Sequence, residues 1–377
     1  MSAVRLSICI ATLNRAAFIG ETLESIVSQI TPEVELVVVD GASTDNTEAV
    51  VRSFAARCPR LRYVRLEKKG GVDQDYCKAV ELAQGDYCWL FTDDDLLKPG
   101  AVAAVLEATS RNFSLIVVNA EVRTPDLAVC LQPSRLCISE EVFSKLRSGV
   151  SAERRHCAVP SQKVRRSAET PLRPRGFETG SEDRVYGPDA AGRNGLLADA
   201  GNYLSFIGGV VIRRDLWNVR EKAKYFGTEF IHLGVIFQSP LPGEALVIAR
   251  PWIVIRYGNA LWTAKSFQIW MFKFPQLIWS FPDCADWAKQ RVEHREPWKR
   301  WERLLQARAL GQFSVKEFDA WLAPHLKPSP RKLLTRAIAC LPVRPLNWLA
   351  RVFVRHIARK DPSITLFDLE AGWKWSQ

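Results

Sequence analysis

Five short apolar runs, separated by four stretches with helical spacing, constrain this chain more than any other feature. They are Leu6–Leu13, Glu35–Asp40, Leu61–Leu66, Tyr87–Phe91 and Ser114–Ala120, separated by helical patterns near Ala17–Gln29, Asp45–Arg57, Asp73–Gln84 and Pro99–Thr109. A run that is apolar at almost every position cannot face water on either side, so it reads as a strand buried on both faces. Alternation with helices then predicts an α/β fold with a mostly parallel sheet covered by helices. Ligands of such sheets bind beyond the carboxyl ends of the strands.

The rest of the chain is less regular. Ser139–Gly149 reads as a helix, and residues 151–195 as a polar, basic loop or insert rich in Gly and Pro. Apolar periodicity returns at Tyr203–Ile212, at Arg213–Lys224 and Glu229–Gln238 (helices) and at Ala245–Tyr257 (strands). From Leu261 onward the pattern is helical, with ten of the thirteen Trp. Residues 1–260 are therefore expected to form one domain, with halves at 1–120 and 200–260, and residues 261–377 a helical appendage.

Charge is distributed unevenly. Residues 331–360 hold eight Lys or Arg and no Asp or Glu, which accounts for +8 of the net +11. Leu333, Leu334, Ala337, Ile338 and Leu341, then Leu346, Trp348, Leu349, Val352, Phe353, Val354 and Ile357, form apolar faces between these cations. A basic amphipathic helix with Trp is expected to lie on an anionic membrane surface, as is the segment Trp270–Trp279. The alternative is that both pack on the domain with their cations facing water. Nucleic acid is not expected as a partner, because no nucleic-acid module accompanies the charge. No run of 18 uncharged apolar residues predicts a membrane span. Nine Cys without zinc spacing, and no apolar stretch at Met1–Leu6, lead us to expect a reduced cytoplasmic location, peripheral at the inner membrane face.

The chemistry is expected at the strand ends. Asp93, Asp94 and Asp95 directly follow the fourth strand; three adjacent carboxylates repel one another unless a cation is shared. In extended backbone Asp93 and Asp95 project to one side, where two hard oxygen ligands suit Mg²⁺ or Mn²⁺. A solvated acidic turn is the alternative. Thr12, Asn14 and Arg15 stand at the first strand end and Asp40, Ser43, Thr44 and Asp45 at the second. There Asp40 would accept from a nucleobase or ribose hydroxyl and Ser43 or Thr44 would cap the next helix, with helix capping alone the alternative for Thr44 and Asp45. No GxGxxG follows the first strand, which argues against a dinucleotide site.

The segments LSICIATLNR, ELVVVDGASTDNT, GGVDQDYCKAVELAQGDY and WLFTDDD, in this order over residues 5–120, resemble the family 2 glycosyltransferases with the GT-A fold. The resemblance implies a nucleotide-diphosphate-sugar donor with Thr12, Asn14, Arg15, Asp40, Ser43, Asp73, Lys78, Asp93 and Asp94 about it, and Asp93 and Asp95 as the metal pair. Where many relatives carry Ala-Arg-Asn-x-Gly, this chain has Asp75-Tyr76-Cys77-Lys78-Ala79, and Lys78 is expected to supply a positive charge there. The stretches 206–217, 230–238 and 255–262 are similar to an abequosyltransferase-like branch that extends bacterial O-antigen units. This implies an inverting transferase, a lipid-linked glycan acceptor, and a base at the start of the helix after the Gly-Gly stretch. Glu229 is expected as that base and His232 as its rival, with Gly208 and Gly209 admitting the acceptor. Each has a structural alternative: a first-turn carboxylate, a buried histidine bonded to a carbonyl, and a tight turn. A nucleotide-sugar-binding scaffold with weak or no catalysis is the competing function, because the usual Glu-Asp pair is missing.

Overall fold

The computed structural model describes residues 3–136, 182–259, 265–357 and 363–372. The expected helix at Ser139–Gly149 and most of the polar insert lie outside the described residues. Ten strands, β1 (Leu6–Thr12), β2 (Val34–Asp40), β3 (Leu61–Arg65), β4 (Tyr87–Phe91), β5 (Leu96–Leu97), β6 (Leu115–Arg123), β7 (Cys130–Gln132), β8 (Arg184–Tyr186), β9 (Val210–Arg213) and β10 (Ala245–Arg256), form one sheet. Its order is β3-β2-β1-β4-β9-β6-β10-β5, with β7 on β6 and β8 on β10. β3, β2, β1 and β4 run parallel, β9 is antiparallel to both β4 and β6, and β10 is parallel to β6. The sheet is mixed and mostly parallel, the α/β arrangement that the strand pattern predicts.

All seven residues of β1 and of β2 and all five of β4 are buried, the pattern that their unbroken apolarity demands. Helices α1 (Ile19–Val27), α2 (Thr47–Arg57), α3 (Val72–Leu82) and α4 (Ala101–Thr109) follow β1, β2, β3 and β5. Each is shorter by a few residues than its periodicity suggests, because the flanking residues are spent on turns. In the second half, α5 (Ala190–Ala200) occupies what reads in sequence as loop, while α6 is only Arg214–Val219 and α7 only Ile231–Phe237. Lys222 Nζ ends α6 by donating to the carbonyls of Trp217, Asn218 and Arg220. β10 is a single strand of twelve residues that tolerates Pro251 at a shift of register between Ile248 and Ile253.

The C-terminal region comprises a continuous helical segment, α8 (266–280), then α9 (Asp286–Val292), α10 (Trp301–Ala309), α11 (Pro330–Cys340), α12 (Val343–His356) and α13 (Ser363–Gly372). Trp270 and Trp279 pack against the main core, and Phe272, Trp298 and Phe313 lie in a second core. Since Met271, Phe272, Phe274, Leu277 and Ile278 are buried inside the protein, the segment Trp270–Trp279 does not present a membrane face. Nor is the tail a detachable arm. Asn347 Nδ2 donates to the carbonyls of Ala309 and Leu369, and Tyr257 at the end of β10 donates to Asp368 of α13.

The first and second halves are joined under the sheet by Trp89, wholly buried, whose indole N–H donates to the carbonyl of Gly208 at 2.8 Å. Trp89→Phe keeps an aromatic ring but leaves that buried carbonyl without its donor. A loss of about 1–3 kcal/mol of unfolding free energy is expected in urea denaturation.

Candidate active site

The loops that follow β1 and β2 are bonded to each other. The backbone N–H of Asn14 donates to Ser43 Oγ, and Asn14 Oδ1 accepts from the N–H of Thr44. Arg15 and Ala16 donate through their backbone N–H groups to Thr47 Oγ1 and Asp45 Oδ2. Asn14 takes φ +54°, a left-handed conformation that Asn tolerates better than most residues. Asn14 and Ser43 thus brace the floor of the crevice. The acceptor at the start of α2 is Asp45, which receives the N–H of Thr47, and not Ser43 or Thr44.

Asp40 is completely buried. Its Oδ1 accepts from the N–H of Ser43 at 2.7 Å and its Oδ2 from the hydroxyl of Tyr63 at 2.7 Å, so the carboxylate shapes the loop after β2 and none of it faces outward.

Beyond β4 the three carboxylates are nearly buried, with Arg15 inserted among them. Arg15 Nε lies 3.3 Å from Asp93 Oδ1 and its Nη2 3.3 Å from Asp94 Oδ2. The residues that share a cation in this structure are therefore Asp93 and Asp94. Asp95 is turned toward the sheet: its Oδ2 accepts from Thr92 Oγ1 at 2.5 Å and its Oδ1 from the N–H of Arg256 at 2.7 Å. The Arg256 guanidinium closes the arrangement by donating to the carbonyl of Asp94 and pairing with Glu21. Burial first, and the Asp94 charge second, raise Asp93 to a pKa of about 7 against the opposing Arg15 and Thr12. Burial also raises Asp94, and raises Asp95 well above the ordinary carboxylate range.

Among the described residues no three His, Cys, Asp or Glu converge as a closed metal cage. The donor set nonetheless fits a hard divalent ion that takes one or two carboxylates and completes its shell with water and phosphate oxygens. Crowded carboxyls with raised pKa values gain most from such a charge, and each Asp95 oxygen keeps a second lone pair.

Several expected site residues have other work. Asp73 is a latch: Oδ2 accepts from the N–H groups of Gly227 (2.8 Å) and Glu229 (3.1 Å), and Oδ1 from that of Ile231 (3.2 Å). Lys78 pairs with Glu81 on the outer face of α3, a turn away from the helix start, and supplies no charge to the crevice. Gly208 and Gly209 are buried, and a Cβ there would meet the Phe206 ring at 2.3 Å and Tyr203 Oη at 2.8 Å. Packing against these aromatic side chains accounts for glycine at both positions. His232 is fully buried with Nε2 2.6 Å from the carbonyl of Leu204, and burial lowers its pKa to about 4.

Glu229 is different. It precedes α7 with φ +71°, held there by the Asp73 latch, and its partly exposed carboxylate lies 3.7 Å from Lys265 Nζ and 3.8 Å from Lys273 Nζ. A non-glycine residue in this conformation is a strained placement of the kind found at functional sites. Asp73 lies in the first turn of α3, at the carboxyl end of the sheet, so the latch brings Glu229 to the same side as Asp93.

Sequence reasoning missed Arg256, although its segment was singled out, because nothing local signals that it meets residues 160 positions earlier. It also missed Asp75, visible only as a departure from the family pattern.

Residues 7–169 match the family model described as Glycosyl transferase family 2. The chain is 22% identical over 269 residues to the abequosyltransferase RfbV of Salmonella typhimurium, covering 69% of each chain. It is 25% identical over 116 residues to the GalNAc(5)-diNAcBac-PP-undecaprenol β-1,3-glucosyltransferase of Campylobacter jejuni, 30% of this chain and 38% of that one. Among solved structures it resembles the mannosyltransferase PcManGT of Pyrobaculum calidifontis, crystallised with GDP-Man and Mn²⁺, at 16% identity and a TM-score of 0.49 over 100% of this chain and 88% of that one. The chain is a glycosyltransferase carrying a family 2 domain at residues 7–169, and over most of its length it is similar to an abequosyltransferase.

Because folding raises the Asp93 pKa, protonation favours the folded state. That contribution is complete below the unfolded carboxylate value of about 3.9 and is lost as pH rises through about 7. Calorimetric melting of metal-free protein is expected to show a midpoint that falls between pH 5 and pH 8. Asp93→Asn should flatten this slope, and an equal slope in the variant would contradict the assignment.

Proposed function

We propose that this enzyme is an inverting glycosyltransferase of bacterial surface polysaccharide synthesis, moving a sugar from a nucleotide-diphosphate donor to a lipid-linked glycan. The observation that carries the reading is the pairing of a compressed carboxylate cluster beyond β4 with an accessible carboxylate, Glu229, latched to the same side of the sheet. The relatives named for abequosyl and undecaprenol-linked glucosyl transfer support the acceptor class.

Inversion requires in-line attack of an acceptor hydroxyl on the anomeric carbon while the nucleoside diphosphate leaves from the opposite face. Glu229 takes the hydroxyl proton as the new bond forms. Lys265 and Lys273 lie within ion-pair distance of its carboxylate, and the latch fixes its position. Asp93 and Asp95 would hold Mg²⁺ or Mn²⁺, which when bound supplies positive charge to the departing diphosphate. Arg15 opposes the protonation of Asp93 and Asp94 that burial favours and fixes both before the donor arrives.

The tail gives the enzyme a place to work. No single helix among the described residues is long and apolar enough to cross a membrane, and α11 and α12 meet at 91°. On α12 Trp348, Leu349 and Phe353 are more than half exposed, while Asn347 is the residue buried against the protein. With Arg344, Arg351 and Arg355 on the same helix, this outward apolar face fits an anionic membrane surface.

Two measurements test this. Glu229→Gln is expected to lower kcat by about 10²- to 10⁴-fold on a lipid-linked acceptor with donor affinity retained, whereas His232→Ala should act on thermal stability; full-rate turnover by Glu229→Gln would reject the base. Replacing Trp348, Leu349 and Phe353 by Ser should release the protein from phosphatidylglycerol vesicles in co-sedimentation without lowering its melting temperature. Undiminished binding would reject the membrane face.

A further inference from the structure

We infer that Asp75 is the carboxylate that reads the N–H edge of the donor's nucleobase, a role that position at a strand end would give to Asp40. The inference rests on the nucleotide-donor reading above and deepens it.

Asp75 lies in the first turn of α3, beside Asp73, and is 4% exposed. Its Oδ1 is buried and has no hydrogen-bond partner among the described residues. Buried carboxylate oxygens are almost always paired, so an orphan calls for a missing partner. The contrast with Asp40 and Asp73 is direct, since every oxygen of those two accepts at least one hydrogen bond from the protein.

The surroundings say what that partner is. The carboxylate packs between two glycines: a Cβ on Gly41, the residue after β2, would lie 2.7 Å from Asp75 Oδ2, and one on Gly70 would lie 3.1 Å from Oδ1. Glycine at both positions lets the carboxylate lie directly against backbone there, and Lys68 to Gly70 beside it are exposed. Burial raises the Asp75 pKa to about 6, the Asp40 charge adds to this, and Lys69 opposes it without forming an ion pair. A phosphate is unsuited to a place beside two carboxylates, and a carboxylate can accept only from N–H or O–H groups.

Position selects the base. The diphosphate belongs beyond β4, and β4 and β2 are two strand spacings apart, about 10 Å. A donor anchored at Asp93 thus carries its nucleoside over β2, to the carboxylates Asp40 and Asp75. The Asp40 oxygens already accept from Ser43 and Tyr63, whereas Asp75 Oδ1 accepts from nothing among the described residues, so Asp75 has the most acceptor capacity left for an imide N–H of uracil or thymine, the N1–H and amine of guanine, or the amine of cytosine.

The test is calorimetric titration of the full chain with UDP, GDP, CDP and TDP in the presence of Mn²⁺, for wild type, Asp75→Asn and Asp75→Ala. Wild type is expected to prefer one base by about tenfold or more. Asp75→Ala should lose that preference and bind all four within about threefold of one another. Asp75→Asn, which keeps one acceptor oxygen, should fall between. Because Oδ1 bonds to nothing, neither variant should melt below wild type. An unchanged base preference in Asp75→Ala would overturn the inference. So would an equal loss for all four nucleotides with a lowered melting temperature, which marks a structural residue, and so would a loss confined to 2′-deoxy analogues, which marks ribose recognition. If wild type binds none of the four, the nucleotide-donor reading itself fails and the inference falls with it.

Discussion

Everything on the ligand side of the sheet depends on burying three consecutive carboxylates at the end of β4. Unbalanced, such a cluster would protonate or push the strand end into solvent. Arg15 from the loop after β1 balances Asp93 and Asp94, while Thr92 and the Arg256 amide receive Asp95. Balancing it therefore fixes the first strand's loop and the end of the twelfth residue of β10 against β4, and draws Glu21 of α1 in through Arg256. The repulsion that remains is the reservoir that a bound cation relieves, so an arrangement that is costly for folding is suited to holding a metal and a diphosphate.

The same economy of carboxylates organises the rest of the crevice. Asp40 closes its own loop, Asp73 gathers three N–H groups ahead of α7, and Asp45 holds the loop after β1 to the start of α2. Residues of one chemical type thus divide into those that hold backbone and those left for ligand. Their oxygens' partners separate the two groups, and residue type does not.

The strands were legible because burial on both faces leaves no freedom in their composition: β1, β2 and β4 are apolar throughout and fully buried. The second half was less so. Lys222 stops α6 early, a short antiparallel β9 sits between two parallel strands, and 3-10 turns at Tyr203–Ser205 and Ile207–Gly209 occupy a stretch whose apolar periodicity named no element. Local pattern does not encode such stops, since they come from contacts made elsewhere in the chain. The tryptophans of the C-terminal region show the same limit. Trp298 is buried in a core and Trp348 faces outward, yet both occur among cations in an amphipathic pattern.

By itself, the sequence determined the sheet of buried strands, the strand ends at which polar residues gather, the acidic cluster at the end of β4 and the concentration of positive charge near the C-terminus. Each of these follows from local composition and spacing, which hydrophobic burial and charge repulsion act on directly. Only the tertiary structure decided which carboxylates are spent and which remain: Asp40 and Asp73 are consumed by backbone N–H groups and Tyr63, His232 is enclosed, Lys78 turns outward, and Asp75 is left unpaired. A carboxylate's role is set by the donors that surround it, and those donors come from residues as far as 235 positions away along the chain.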